Sequence, residues 1–187
     1  MSQAIDLVVE SQIPLTPRVE QLGAMFDCPV HEKLRCEWHG AIDLDAQPWQ
    51  VGLIVGPSGA GKTKLLEKIF GAPESCQWSA PSVVDDFAKE RGIQEIAGVC
   101  QAVGFNTIPA WMRPYAVLSN GEKFRVELAR RLLETEGTIV IDEFTSVVDR
   151  QVAQIGAHAA QKYVRKNGKK LVAASCHYDI VDWLQPD

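Results

Sequence analysis

The sequence is poor in cysteine and has no long apolar run. Five cysteines are scattered through 187 residues, which does not suggest the disulfide framework of a small secreted protein. No stretch reaches the roughly 18 consecutive apolar residues that a membrane-spanning helix needs, and the first residues lack the basic and apolar parts of a secretion signal. We therefore expect a cytoplasmic protein without membrane insertion.

An excess of basic residues is also missing. Lysine and arginine number 19 against 24 acidic residues, and the formal net charge is −5. This balance does not indicate the broad basic surface of a nucleic-acid-binding protein, although a local basic patch is compatible with it. The 46% of apolar and 23% of charged residues are typical of a globular protein, and the length suggests one domain over 1–187.

The alternation of apolar segments predicts an α/β fold. A β-rich part is expected over 1–48, with a short helix over 18–26 and one or two strands packed on a core over 33–44. In the remaining part, 49–187, the pattern predicts strands over 49–55, 138–141 and 171–175, and helices over 62–70, 93–105, 122–134 and 151–166. Because strands alternate with helices, we expect a mostly parallel sheet.

A glycine-rich loop follows the first of these strands. It fits the phosphate-binding pattern G-x-x-x-x-G-K-[ST] with the residues Gly56, Pro57, Ser58, Gly59, Ala60, Gly61, Lys62 and Thr63. Small residues let backbone N–H groups turn toward phosphate oxygens, and the following helix adds its positive end. Lys62 is then expected on the β- and γ-phosphates, and the Thr63 hydroxyl on Mg²⁺. The alternative is a glycine-rich turn that binds nothing.

Two carboxylates follow the strand over 138–141. The carboxyl ends of parallel strands meet at one edge of a sheet, so Asp142 and Glu143 are expected beside the glycine-rich loop. Asp142 would hold Mg²⁺, directly or through water, and Glu143 would orient and deprotonate the attacking water. The alternative for Glu143 is an acid that caps the next helix.

Further motifs resemble those of ABC-type ATPases and occur in the order of that family. Leu118–Glu122 (LSNGE) resembles the ABC signature, 138–143 resembles the Walker B strand with its acidic pair, 146–149 resembles the D-loop, and His177 stands where the switch histidine is expected. The resemblance extends from Gly56 to His177. It implies a P-loop NTPase fold that binds ATP and Mg²⁺, with Lys62, Glu143 and His177 as catalytic residues.

The resemblance also implies an ATP-dependent homodimer. In this family the signature binds the γ-phosphate held by the opposite subunit, a role that falls here to Ser119, Asn120 and Gly121; Asp149 of the D-loop is expected beside the nucleotide. Taken alone, Ser119 with Glu122 is also typical of a helix N-cap. His177 taken alone is more typical of a surface histidine.

Between the glycine-rich loop and the signature, the chain departs from the family pattern. Ser119 follows Lys62 by only 57 positions, so we expect a shortened helical and signature region over about 78–134. Two glutamines compete for the family's Q-loop position, which contacts nucleotide and Mg²⁺. Gln101 lies on the polar face of a predicted helix, whereas Gln77 lies in a connection, and Gln77 is the preferred residue.

The signature ends in Glu122-Lys123 rather than in glutamine. This is closer to SMC-type and DNA-repair ABC ATPases, and the region around 142–150 is similar to small, soluble, stand-alone ABC ATPases of phages and mobile elements. We expect ATP hydrolysis to drive a partner protein, a linked C-terminal domain or a nucleic-acid process. We also expect that a C-terminal part of the protein lies beyond this sequence. The alternatives are the ATPase subunit of a membrane transporter and a nucleotide-gated binding module with little turnover.

A cluster of potential zinc ligands lies near the start of the chain. Cys28, His31, Cys36 and His39 have a spacing close to that of a zinc knuckle. The preferred interpretation is that Cys36 and Trp38 point into the core of a strand and that both histidines are loop residues, with no zinc. Trp38 is also the candidate for stacking on adenine.

Overall fold

The computed structural model of the protein describes residues 3–30 and 33–187. These residues form two compact units, which meet in sequence between Pro48 and Trp49. The sequence analysis expected one domain over 1–187, with the phosphate-binding part beginning at residue 49, and this domain organisation stays a prediction. No helix among the described residues is both long and apolar enough to cross a membrane.

The first unit is a two-stranded antiparallel sheet with one helix. Strand β1 (Gln3–Gln12) pairs with β2 (Lys33–Ile42), and α1 (Pro17–Met25) lies between them in sequence. The sequence pattern did not predict β1, because this strand depends on pairing with a partner about 30 positions away. Trp38 is 43% exposed, so the expectation that it lies in a core is wrong.

A three-stranded parallel sheet forms the centre of the second unit. Its strands are β3 (Val51–Val55), β4 (Thr138–Ile141) and β5 (Lys170–Ser175), in the order β3-β5-β4. Both neighbours of β5 run parallel to it, which confirms the expected parallel sheet. The central β5 is buried from Leu171 to Ser175, as an interior parallel strand should be.

Helices of the second unit begin and end close to the expected positions. They are α2 (Lys62–Phe70), α3 (Ile93–Ala102), α4 (Ile108–Trp111), α5 (Asn120–Glu134), α6 (Arg150–Lys166) and α7 (Ile180–Leu184). Helix α3 ends three residues early, because Gly104 takes a left-handed φ of 78° and the Phe105 N–H bonds back to the Cys100 carbonyl. The short α4 lies between two of the predicted helices, in a segment for which no element was predicted.

The sheet separates two apolar clusters. Leu171 and Ala173 of β5 pack in the large cluster, to which α3, α5 and α6 contribute. Val172 and Ala174 face the other way and pack with Leu66 of α2. Alternate residues of a strand point to opposite faces, so helices cover both sides of the sheet. This layering confirms the α/β architecture and brings the carboxyl ends of the strands to one edge.

Candidate phosphate-binding site

The loop between β3 and α2 has the backbone that its glycines allow. Gly59 and Gly61 have φ values of 78° and 82°, a left-handed conformation that side chains disfavour. Gly61 is the N-cap of α2 and supplies no side-chain hydrogen bond to it. No side chain of the N-cap residue therefore occupies the first N–H groups of α2. A bound anion can accept hydrogen bonds from these groups.

Lys62 reaches back over its own loop. Its Nζ donates to the Pro57 carbonyl at 2.9 Å, so the ammonium group lies against the turn that the glycines form. This is the position from which a flexible lysine can meet phosphate groups held by the loop.

Thr63 and Asp142 are joined across 79 positions of sequence. Thr63 Oγ1 donates to Asp142 Oδ2 at 2.7 Å, and the Glu143 N–H donates to Asp142 Oδ1 at 2.9 Å. The start of α2 therefore meets the end of β4, as the parallel sheet requires. A hydroxyl and a carboxylate at this distance are the hard oxygen ligands that Mg²⁺ prefers, so these residues fit the ion.

The turn after Asp142 is locally strained. Glu143 and Thr145 have φ values of 49° and 70°, which is unusual for residues other than glycine. The Ser146 hydroxyl donates to the Glu143 carbonyl at 2.6 Å, and the Phe144 N–H donates to the Ala174 carbonyl at 2.8 Å. These bonds hold the turn in its strained form and leave Glu143 exposed next to Asp142.

Asp149, rather than Glu143, caps the next helix. Asp149 Oδ1 accepts from the N–H groups of Gln151 and Val152 at 3.0 and 2.9 Å. The first turn of α6 thus has its cap without Glu143, which removes the main reason to interpret Glu143 as a capping acid. Its role toward a water molecule stays a prediction.

Ser175 links three parts of this edge, and the sequence analysis missed it. Its hydroxyl donates to the Phe144 carbonyl at 3.1 Å and accepts from the His177 N–H at 3.1 Å, while its carbonyl accepts from the Gly56 N–H at 3.4 Å. Ser175 thereby ties the glycine-rich loop, the turn after β4 and His177 together. The signal that could have identified Ser175 in the sequence is its place as a polar residue at the end of an apolar strand.

The signature residues belong to the start of α5. Ser119 is the N-cap, and its Oγ accepts from the Glu122 N–H at 3.3 Å. Asn120 lines a cavity of about 380 Å³, which also touches Lys123, Asp142 and Glu143. Among the described residues, the side chain of Ser119 bonds only within its own helix start, to Glu122, so contact with a nucleotide of another subunit stays a prediction for Ser119 and Gly121.

Gln77 lies against α5. Its carbonyl accepts from Arg130 Nη1 at 2.6 Å, and its Nε2 donates to Ser75 Oγ at 3.4 Å. These contacts connect the segment after α2 to the signature helix and include neither Thr63 nor Asp142. The expected contact of Gln77 with nucleotide and metal therefore stays a prediction; Gln101 is exposed on α3.

The cluster of potential zinc ligands lies only partly within the described residues. His39 bonds to Asp6 Oδ1 at 3.0 Å and Glu37 Oε2 at 3.2 Å, and these carboxylates raise its pKa. His31 and the side chain of Cys36 lie outside the described residues. Within 3–30 and 33–187, no group of three or more metal-ligating side chains is placed to hold an ion.

Known proteins similar in sequence to this chain include ATP-binding proteins of import systems. No protein-family profile matches the chain. The hemin import ATP-binding protein HmuV of Streptomyces coelicolor is 28% identical over 186 aligned positions, which cover 76% of this chain and 66% of that protein. The ribosome protection protein VmlR of Bacillus subtilis is 29% identical over 118 positions, which cover 51% and 21%. The chain spans less than two thirds of the length of these curated relatives.

A solved structure has the same fold. A putative ABC transporter ATP-binding protein from Pyrococcus furiosus superposes with a TM-score of 0.57 at 19% identity, covering 75% of this chain and 82% of that one. The likeness establishes the α/β fold of a P-loop NTPase. Together with the sequence similarities, it supports an ABC-type nucleotide-binding domain.

Proposed function

We propose that this chain, as an ABC-type nucleotide-binding domain, binds ATP with Mg²⁺ and hydrolyses it between two subunits. The observation that carries the proposal is the hydrogen bond between Thr63 and Asp142 at 2.7 Å, beside a glycine-rich loop that Lys62 crosses. A hydroxyl, a carboxylate and an ammonium group from two distant motifs thus meet at the edge where parallel sheets bind their ligands.

Each residue has a chemical role in this proposal. Lys62 meets the charge of the β- and γ-phosphates, and Thr63 and Asp142 would hold Mg²⁺, which neutralises phosphate charge when bound. Glu143 orients a water molecule and accepts its proton. His177, tied to the end of β5 by its backbone, contacts the γ-phosphate, and Gln77 approaches the metal from the segment after α2.

Dimerisation completes the site. Ser119, Asn120 and Gly121 of one subunit contact the γ-phosphate held by the other, with Asp149 nearby. A small, polar helix start can offer N–H and hydroxyl donors to an anion, and such a start leaves room for close approach.

The process that ATP drives is also part of the proposal. The protein is a soluble, stand-alone ABC ATPase of the phage or mobile-element kind, and it acts on a partner protein, a linked domain or nucleic acid. The short signature region is the feature that favours this kind of ATPase. The similarity to a ribosome protection protein favours work on a soluble target. The similarity to a hemin import protein favours the second candidate, a transporter's ATPase subunit.

Glu143→Gln tests the proposal directly. The amide keeps the size of the side chain but does not take the proton of the water, so we expect ATP binding without turnover and an ATP-dependent dimer. ATP hydrolysis and sedimentation velocity are the measurements. Glu136→Gln, which alters an exposed loop acid, should hydrolyse ATP as the parent does. Parental hydrolysis by Glu143→Gln, or binding of ATP without association, contradicts the proposal.

A further inference from the structure

Glu122 takes both hydrogen-bond donors of Ser119. The Ser119 N–H donates to Glu122 Oε2 at 2.9 Å, and the Ser119 hydroxyl donates to the same oxygen at 2.8 Å. A serine has one backbone and one side-chain donor. One carboxylate oxygen therefore accepts hydrogen bonds from both donors of Ser119.

The bond from the hydroxyl is not needed to cap a helix. Helix α3 has the same kind of cap without a hydroxyl, because Gly92 precedes it and the Gly92 N–H donates to Glu95 Oε2 at 2.9 Å. A carboxylate at the third helical position thus caps a helix start through the backbone N–H alone. At α5 the carboxylate additionally accepts from the side-chain hydroxyl of Ser119.

Glu122 is a charged competitor for these donors. Hydrogen bonds from the Ser119 backbone and hydroxyl, with the nearby positive charges of Arg113 and Arg125, hold the pKa of Glu122 below its usual range. The side chain is therefore a carboxylate at neutral pH. A carboxylate and a phosphate are both anionic acceptors, and the two protons of Ser119 cannot serve both.

We infer that Glu122 competes within its own subunit with the γ-phosphate of the partner's ATP, and leaves Ser119 only when the two subunits close. The inference rests on the proposed function, because it presumes that Ser119 meets the partner's nucleotide. Glu122 then weakens ATP-driven association and raises the ATP concentration at which subunits pair. It has no effect on how a single subunit binds ATP through its own loop.

The test compares dimer formation with and without the charge of Glu122. Glu122→Gln is made in the Glu143→Gln background, which prevents turnover, and association in ATP and Mg²⁺ is followed by sedimentation velocity. The amide removes the negative charge and keeps the shape, so we expect subunits to associate about tenfold more tightly at low salt. The gain should shrink in high salt, since it is electrostatic.

Glu95→Gln in the same background is the matched control. It changes the equivalent cap of α3 and should cost similar thermal stability, but it should leave the association constant unchanged. If Glu143→Gln alone fails to associate with ATP, the proposed function is wrong. If it associates and Glu122→Gln, still folded by its thermal midpoint, associates equally or more weakly, only the inference about Glu122 is overturned.

Discussion

At the residue scale, the ammonium group of Lys62 is the positive charge that the structure places on the glycine-rich loop. Its Nζ lies 2.9 Å from the Pro57 carbonyl. Lys62→Ala removes the charge partner of the β- and γ-phosphates, so we expect ATP binding to fall by two orders of magnitude or more. Fluorescent nucleotide titration measures this. Lys64→Ala, two positions on, removes an exposed lysine that pairs with Glu67 and should bind ATP normally.

Asp187 is a second residue whose charge has a measurable consequence. Its partial burial raises its pKa, but hydrogen bonds from the Gln50 and Val51 N–H groups and from Arg165 lower it more, so the net pKa lies below its usual range. A carboxyl whose pKa is lower in the folded than in the unfolded protein stabilises the fold at pH values above the unfolded pKa of about 4. This stabilisation is lost as the pH falls through the folded pKa.

Asp187→Asn should therefore unfold at a lower temperature than the parent at pH 7. The difference should shrink as the pH falls below about 4 and disappear once the pH is below the folded pKa, where the parent loses the charge as well. Thermal unfolding across this range is the measurement. Asp182→Asn, in an exposed position on α7, is the control and should follow the parent; a pH-independent difference for Asp187→Asn would contradict the electrostatic explanation.

At the element scale, α5 and α6 approach each other at a glycine. A Cβ on Gly156 would lie 2.6 Å from Phe124 Cε1, and the Phe124 ring in turn packs against Phe144 with centroids 5.9 Å apart. Gly156→Ala therefore forces the ring to move. We expect a loss of about 1 kcal/mol in the free energy of unfolding, despite the better helix propensity of alanine.

Gly98→Ala is the matched substitution on another helix. A Cβ on Gly98 of α3 meets nothing within 4 Å, so alanine should stabilise the protein by about 0.5–1 kcal/mol. Urea denaturation of both variants measures the opposite signs. Equal effects of the two substitutions would show that the approach of α5 and α6 at Gly156 does not limit packing.

At the scale of the whole molecule, the proposed dimer has two composite sites. Ser119→Arg places bulk and charge at a small turn, so it should leave ATP binding to one subunit nearly intact and prevent ATP-dependent association and turnover. Normal hydrolysis by this variant would contradict the shared site.

Mixing Ser119→Arg chains with Lys62→Ala chains tests the sharing in trans. In the mixed dimer, one site carries both changes and the other carries neither. We expect part of the ATPase activity to return on mixing, above the sum of the separate variants. Two Lys62→Ala preparations mixed together are the control and should stay inactive.

Local signals in the sequence determined the elements that surround the loop. The apolar run of β3, the glycine pattern of Gly56–Thr63 and the apolar face of α2 are set by neighbours in the chain, and the structure has β3 and α2 where these signals predict them. The order of strands and helices likewise predicted the parallel sheet. Such features need only local propensity and periodicity, which one sequence displays.

Only the tertiary structure decided how distant residues meet. The Thr63–Asp142 bond spans 79 positions, Lys169 Nζ closes the end of α5 through the carbonyls of Leu132 and Thr135, and Ser175 joins three segments of the site. Propensity does not encode these contacts, because each depends on how the sheet and helices pack.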